Sequence, residues 1–305
     1  MPPLRQPPQW DNAQLTADRR QAIANFIEAR QREVAPRYRR ILAENGADAA
    51  RLFAATHDLR DMHTGDVFAA TPPLLAIARY LTGPPLSADD LNTLAGSSIA
   101  TRARLDGDLA RKAAEVIGDA LDRERVPWLF TNPPRAPTEL ERQVAVSWTA
   151  GLKTAQQVQT GTRALSSQEQ ERAVRAALAR AGYTPTTGDA IGFVDDLQRG
   201  AFRGRETLVA GAKCDIPVRL HDGRLMLIEC KVSNSEINSH KRVIRDTVGV
   251  APRWRAAFGT QAITALVLAG VVKLATLSDA QDNHHITIFW QHNLTALEDF
   301  VRSAR

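Results

Sequence analysis

The chain has 305 residues, 44% of them hydrophobic and 24% charged, which excludes a disordered or fibrous protein and leaves room for one large domain or two ordinary ones. Lys and Arg number 39 against 34 Asp and Glu, a net charge of +5, and only six of the basic residues are lysines. Arginine forks suit phosphate and guanine contacts, although a GC-rich genome gives the same skew, and the distribution of the charge says more about a nucleic-acid partner than its net value.

In chain order, the first stretch, MPPLRQPPQWDNAQ, has no apolar segment of signal-peptide type. The helical stripe Ile23, Phe26, Ile27, Ala29 predicts a helix over Asp18 to Arg32 that Pro36 interrupts. Arg37 to Ala54 resumes the pattern with a break at Gly46, and Pro73 to Leu81 reads as another helix, stopped by Gly83-Pro84-Pro85. Ser87-Ala-Asp-Asp90 is a helix start signal, and Leu109 to Leu121 a further helix. Four prolines between Pro127 and Pro137 suggest a linker or an ordered arm. Residues 1–150 therefore read as a helical N-terminal region, with basic residues concentrated from Arg19 to Arg40 as a candidate DNA clamp or dimer contact.

Beyond residue 150 the character changes. Ser166 to Glu169 caps a predicted short helix running to Ala181 and ended by Gly182. Strand-like segments follow at Thr207–Ala210, Lys213–Leu220, Arg224–Val232, Thr264–Ala269 and His285–Trp290. Helices fit Ile237–Thr247, Arg253–Phe258 and Thr295–Arg302. Residues 151–305 are thus predicted to form an α/β (α+β) domain with a mixed sheet flanked by helices. The longest apolar run, Ala262 to Leu274, spans about 13 residues, against roughly 20 needed to cross a bilayer, so no membrane partner is expected. Cys214 and Cys230 are the two cysteines, which excludes a disulfide scaffold and an all-cysteine zinc site and points to a reducing, cytoplasmic setting with both thiols buried. Trp254 reads as a core anchor, and His284, His285 and His292 as edge polar residues.

The segment Lys213 to Val232 carries the chemistry. A two-residue Asp222-Gly223 turn would put Asp215 and Glu229 on different faces. A three-residue loop, His221-Asp222-Gly223, with glycine at the left-handed position, pairs Leu220 with Arg224 and Asp215 with Glu229. Ile216 then faces Ile228, Val218 faces Met226 and Cys214 faces Cys230. One face becomes apolar and the other carries Asp215, Glu229 and Lys231, so hydrophobic consistency selects this register. Two carboxylates placed opposite each other repel unless a cation sits between them, and a divalent ion serves well. Lys231 beside them would orient or deprotonate a water and offset charge on a phosphoryl transition state. The same three side chains would also make an ordinary salt-bridge set on an exposed face, and spacing alone does not separate the two.

Glu229-Cys-Lys-Val-Ser-Asn-Ser-Glu-Ile-Asn-Ser-His-Lys-Arg242 joins this strand to a basic helix. With Asp215 upstream, it resembles the PD-(D/E)xK nuclease core, and Phe202 through Arg242 is similar to the XamI-type group of type II restriction endonucleases. Cys214 stands where the usual proline precedes the first acid. The resemblance implies Mg2+-dependent hydrolysis of double-stranded DNA at a short palindrome, GTCGAC for this group, by a homodimer with a cognate DNA methyltransferase as companion. It implies that Asp215, Glu229 and Lys231 are catalytic and that Asp215, Glu229 and the backbone carbonyl of Cys230 hold the metal. An acid from the first core helix would join them, with Glu171 chosen because it shares a stripe with Val174 and Leu178. Ser233, Asn234, Ser235, Asn238, Lys241 and Arg242 are short donors and cations suited to phosphates beside the cut, or alternatively a helix N-cap with a solvated face. A structure-specific repair or junction nuclease and a non-cleaving DNA-binding protein of the same fold are the rival readings.

Overall fold

The computed structural model describes residues 4–305, and among these the side chains of all but 162–165, 238, 241, 242 and 244. In chain order it forms α1 (Asn12–Arg32), α2 (Val34–Ala55), α3 (Asp66–Ala70), α4 (Leu75–Ala78), α5 (Ala88–Leu94), α6 (Gly107–Asp119) and α7 (Glu139–Arg180). Then come β1 (Thr184–Thr186), β2 (Ala201–Arg203), β3 (Thr207–Val209), β4 (Ala212–Cys214), β5 (Ile216–Arg219) and β6 (Leu225–Ser233). The chain closes with α8 (Glu236–Arg242), α9 (Ala251–Phe258), β7 (Ala262–Gly270), α10 (Leu274–Asp282), β8 (Thr287–Trp290) and α11 (Thr295–Ser303). No helix among the described residues is long and apolar enough to cross a membrane.

Several boundaries depart from the sequence reading for local reasons. Pro36 falls in the first turn of α2, where its missing N–H breaks no helical bond, and α2 runs unbroken through Gly46. The Ser166–Glu169 cap does not form, because α7 passes straight through as part of a 42-residue helix. Ser87 does cap α5, in a reciprocal box with Asp90. The Lys213–Leu220 strand is two strands, β4 and β5, broken at Asp215. The strands β1 and β2 and the helix α10 were not expected.

Where the sequence suggests one cut near residue 150, the chain divides at two points. One compact unit is Glu33–Gly161, and the other joins the described residues up to Arg32 with Thr162–Arg305. The helical unit packs around Leu52, Phe53, Phe68, Ile77, Leu81, Ile117 and Trp128. Helix α1 belongs with the sheet because Leu15 and Ala22 bury against Leu266, Leu277, Ile288 and Trp290.

The sheet has the order β1-β2-β5-β6-β7-β8, and a separate two-stranded sheet is β3-β4. Strands β5 and β6 are antiparallel, whereas β6, β7 and β8 are parallel, so the sheet is mixed as expected. One face is covered by Val174 and Leu178 of α7 and by Leu297, Phe300 and Val301 of α11, packed on Ile216, Val218, Met226, Ile228 and Cys230. The other face has two clusters. One gathers Leu266 and Leu268 under α1 and α10; the other gathers Leu225 and Leu227 under β3-β4 and α9. Trp254 is wholly buried there, with its indole donating to the Val209 carbonyl.

Candidate active site

The β5-β6 register places the chemistry. Ile216 pairs with Ile228, Val218 with Met226 and Arg219 with Leu225, while the Leu220 N–H donates to the Arg224 carbonyl at 2.8 Å. Gly223 closes the loop at φ +98°, a conformation that glycine adopts without steric cost. This is the three-residue loop and its register. Period-two alternation along β6 then sends Met226, Ile228 and Cys230 to the α7 side and Leu225, Leu227, Glu229 and Lys231 to the other. Glu229 follows Leu227 of one cluster and pairs along the sheet with Leu266 of the other, so it emerges at the seam between them.

Asp215 reaches this seam because the chain bends there. The β5-β6 pairing ends at Ile216, and the Asp215 carboxylate accepts the Cys230 N–H at 2.7 Å. The bend also corrects one expected pair. Cys214 packs with Val209, Leu225 and Trp254, on the side away from Cys230, and both thiols are buried and free. Burial, reinforced by Glu229 for Cys214 and by Asp215 and Glu171 for Cys230, pushes both well above the ordinary thiol range.

Lys231 binds both acids. Its Nζ donates to Glu229 Oε2 at 2.6 Å and to Asp215 Oδ2 at 3.2 Å, in a site where the Lys231 and Asp215 side chains are each 16% exposed and Glu229 6%. Burial lowers the affinity of Lys231 for its proton, but Glu229 and Asp215 outweigh it and hold the ammonium above its ordinary value. Glu229 fares differently. Burial pushes its carboxyl up to about 7, and the attraction of Lys231 only partly offsets this. The other oxygen, Oε1, is buried without any hydrogen-bond partner.

That orphan oxygen tests the fit of a metal. A buried carboxylate oxygen without a donor costs free energy, and a hard cation is the partner that a pair of facing carboxylates satisfies best. No group of three or more His, Cys, Asp or Glu among the described residues is arranged to hold an ion. Two carboxylates and a carbonyl suit Mg2+, which keeps waters and takes substrate phosphate oxygens in its remaining positions. The donors present fit the ion.

The other expected residues are placed less simply. Glu171 is half-buried and ion-paired with Arg175 at 2.6 Å. The sheet-facing neighbour of Val174 and Leu178 is instead Gln170, wholly buried, whose Nε2 donates to the Val267 carbonyl at 3.2 Å. Ser233 is buried and donates its hydroxyl to the Ser235 carbonyl at 2.9 Å; that carbonyl in turn accepts the Ser239 N–H, so Ser235 sits at the N-cap of α8. Asn234 is exposed, while Asn238, Lys241 and Arg242 lie outside the described side chains. Arg19, from the basic run, is an internal strut, donating to the Val272 carbonyl and to Glu236, each at 2.7 Å. His292 meets Asp18 at 3.0 Å.

Known proteins resemble this chain over most of its length. The type II restriction enzyme XamI of Xanthomonas campestris pv. amaranthicola is 34% identical over 259 residues, covering 83% of this chain and 93% of the relative. The type II restriction enzyme SalI of Streptomyces albus G is 25% identical over 261 residues, covering 77% and 81%. No solved structure matches the chain. The XamI restriction endonuclease family matches residues 57–290, which include the whole β5-β6 hairpin and its three charged side chains, and the chain belongs to that family.

Proposed function

We propose that this enzyme hydrolyses phosphodiester bonds of double-stranded DNA at a short palindrome, with Mg2+ held by Asp215, Glu229 and the Cys230 carbonyl. The observation that carries the reading is the opposed carboxylate pair, with Glu229 Oε1 buried and lacking a donor, beside a lysine bonded to both. When bound, Mg2+ supplies Lewis-acid polarisation of the phosphate and makes its water a better nucleophile. Lys231 is held protonated, so its part is that of a cation. An ammonium has three donors; two are engaged by the acids, which leaves one to orient a water or a phosphate oxygen. The same charge offsets the negative charge that builds as the P–O bond to the leaving deoxyribose breaks. Glu171 is the proposed further acid toward the metal. Ser233, Asn234, Ser235, Asn238, Lys241 and Arg242, on the segment leaving the site, are the proposed contacts to neighbouring phosphates.

A palindrome is cut on both strands most simply by two sites related by the same twofold, so the enzyme acts as a homodimer. GTCGAC is the proposed site, a companion methyltransferase protects the host copies, and the cytoplasm is where both meet DNA. The test is a plasmid carrying GTCGAC, incubated with the protein and Mg2+, with the ends sequenced. Uniform ends at that site, lost with Asp215→Ala, are expected. Cleavage confined to branched DNA would make this a structure-specific nuclease, and tight binding without cleavage would make it a DNA-binding protein.

A further inference from the structure

The small sheet β3-β4 leads directly into Asp215, and its two faces differ. Thr207, Val209, Ala212 and Cys214 are buried, whereas Leu208 and Lys213, a cross-strand pair, face outward. Lys213 is the middle residue of β4 and lies two positions before Asp215, where the chain bends into β5. The hairpin is fixed from beneath. Trp254 donates to the Val209 carbonyl and Arg253 to the Gly211 carbonyl, each at 3.1 Å, and Ile191 pairs with the outer edge of β3. Ala210 and Gly211, both at positive φ, form the tight two-residue turn that suits strand twist.

On this rigid platform the Lys213 side chain is 73% exposed, and its ammonium meets Glu206 at 2.8 Å, itself 50% exposed. An ion pair so open to water contributes little to stability and exchanges readily for another anion. It packs no core and caps no helix, yet it holds a cation two residues from a catalytic acid.

We propose that Lys213 is a DNA-phosphate-binding side chain that positions the substrate backbone beside Asp215, and that Glu206 occupies it until DNA arrives. The assignment rests on the catalytic reading of Asp215, Glu229 and Lys231. A phosphodiester entering the site brings the negative charge that replaces Glu206. Lys213 touches the backbone and not the bases, so it adds affinity without sequence preference.

The experiment measures affinity in EDTA for a short duplex carrying GTCGAC and for a scrambled one, across a salt series. Lys213→Met is expected to weaken binding to both about equally and to flatten the slope of log affinity against log salt by about 0.9, the value for one phosphate contact. Lys213→Arg should restore both quantities. Glu206→Gln should tighten binding in the wild-type background and have no such effect beside Lys213→Met. An unchanged affinity and slope in Lys213→Met overturns the proposal, as does a Glu206→Gln gain that survives without the lysine. Parallel cleavage assays in Mg2+ separate the two levels. If Asp215→Ala is inactive while Lys213→Met binds normally, only Lys213 is misassigned. If Asp215→Ala still cuts, the catalytic reading falls and this proposal with it.

Discussion

The two faces of β6 are built from one run of residues and answer opposite demands. Met226, Ile228 and Cys230 meet α7 and α11 in an apolar layer. Glu229 and Lys231, one position out of phase, carry charge into a nearly dry seam and leave Glu229 Oε1 without a partner. The first face stabilises the fold and does no chemistry. The second costs the fold free energy and gathers Asp215, Glu229 and Lys231. Burying an ion pair seldom stabilises a protein relative to apolar packing, so the polar face is explained by what it does and not by what it contributes to stability.

The sharpest way to break this contrast is kinetic. Lys231→Ala should lower the cleavage rate by on the order of a thousandfold or more while DNA binding in EDTA is largely kept. Joint loss of folding and binding, read by circular dichroism and gel shift, would mean that the polar face is structural. On the other face, Ile228→Ala should cost about 2–5 kcal/mol in urea unfolding, through lost burial and the cavity left behind, with cleavage at low temperature retained. An Ile228→Ala protein of normal stability would show that the apolar layer is loosely packed.

Glu229→Gln refines the comparison through pH. The Glu229 carboxyl titrates near 7 in the fold, above an ordinary 4.5, so between those values the native state holds a proton that the unfolded chain has lost. Wild-type stability therefore falls as pH rises from about 4.5 to 7, while the neutral glutamine follows no such course. Without divalent ions, Glu229→Gln should equal wild type near pH 4 and exceed it by on the order of 3 kcal/mol at pH 8. Added Mg2+ should stabilise only the wild type. Equal pH profiles for the two proteins would remove the penalty assigned to the buried carboxylate.

How much of this was legible in the sequence varied with the physics of each element. The hairpin register was readable because a one-residue slip moves every apolar side chain to the wrong face, and Gly223 suits the three-residue loop that avoids it. The break at Asp215 was not, since it arises when a carboxylate replaces a ladder bond to Cys230, a tertiary event that leaves no periodic mark. Three-residue strands such as β1, with Pro185 at its centre, fall below what alternation can detect. Helix α1 hid its allegiance because only Leu15 and Ala22 bury deeply along its 21 residues. Glu171 and Gln170 lie three and four positions before Val174, and both spacings share a helix face. Only the packed structure shows that glutamine takes the inner place.

Cys230 sits between Glu229 and Lys231 along β6, only 5% exposed and with its thiol kept neutral by burial. A thiol in that state reacts with an alkylating reagent only when the strand around it opens. Its modification rate is therefore a clock for the local breathing of β6, and Cys214, wholly enclosed beneath the neighbouring hairpin, is a second clock two strands of chain away. Timed labelling of the two sulfurs would show whether the seam loosens by itself or only when the whole sheet unfolds.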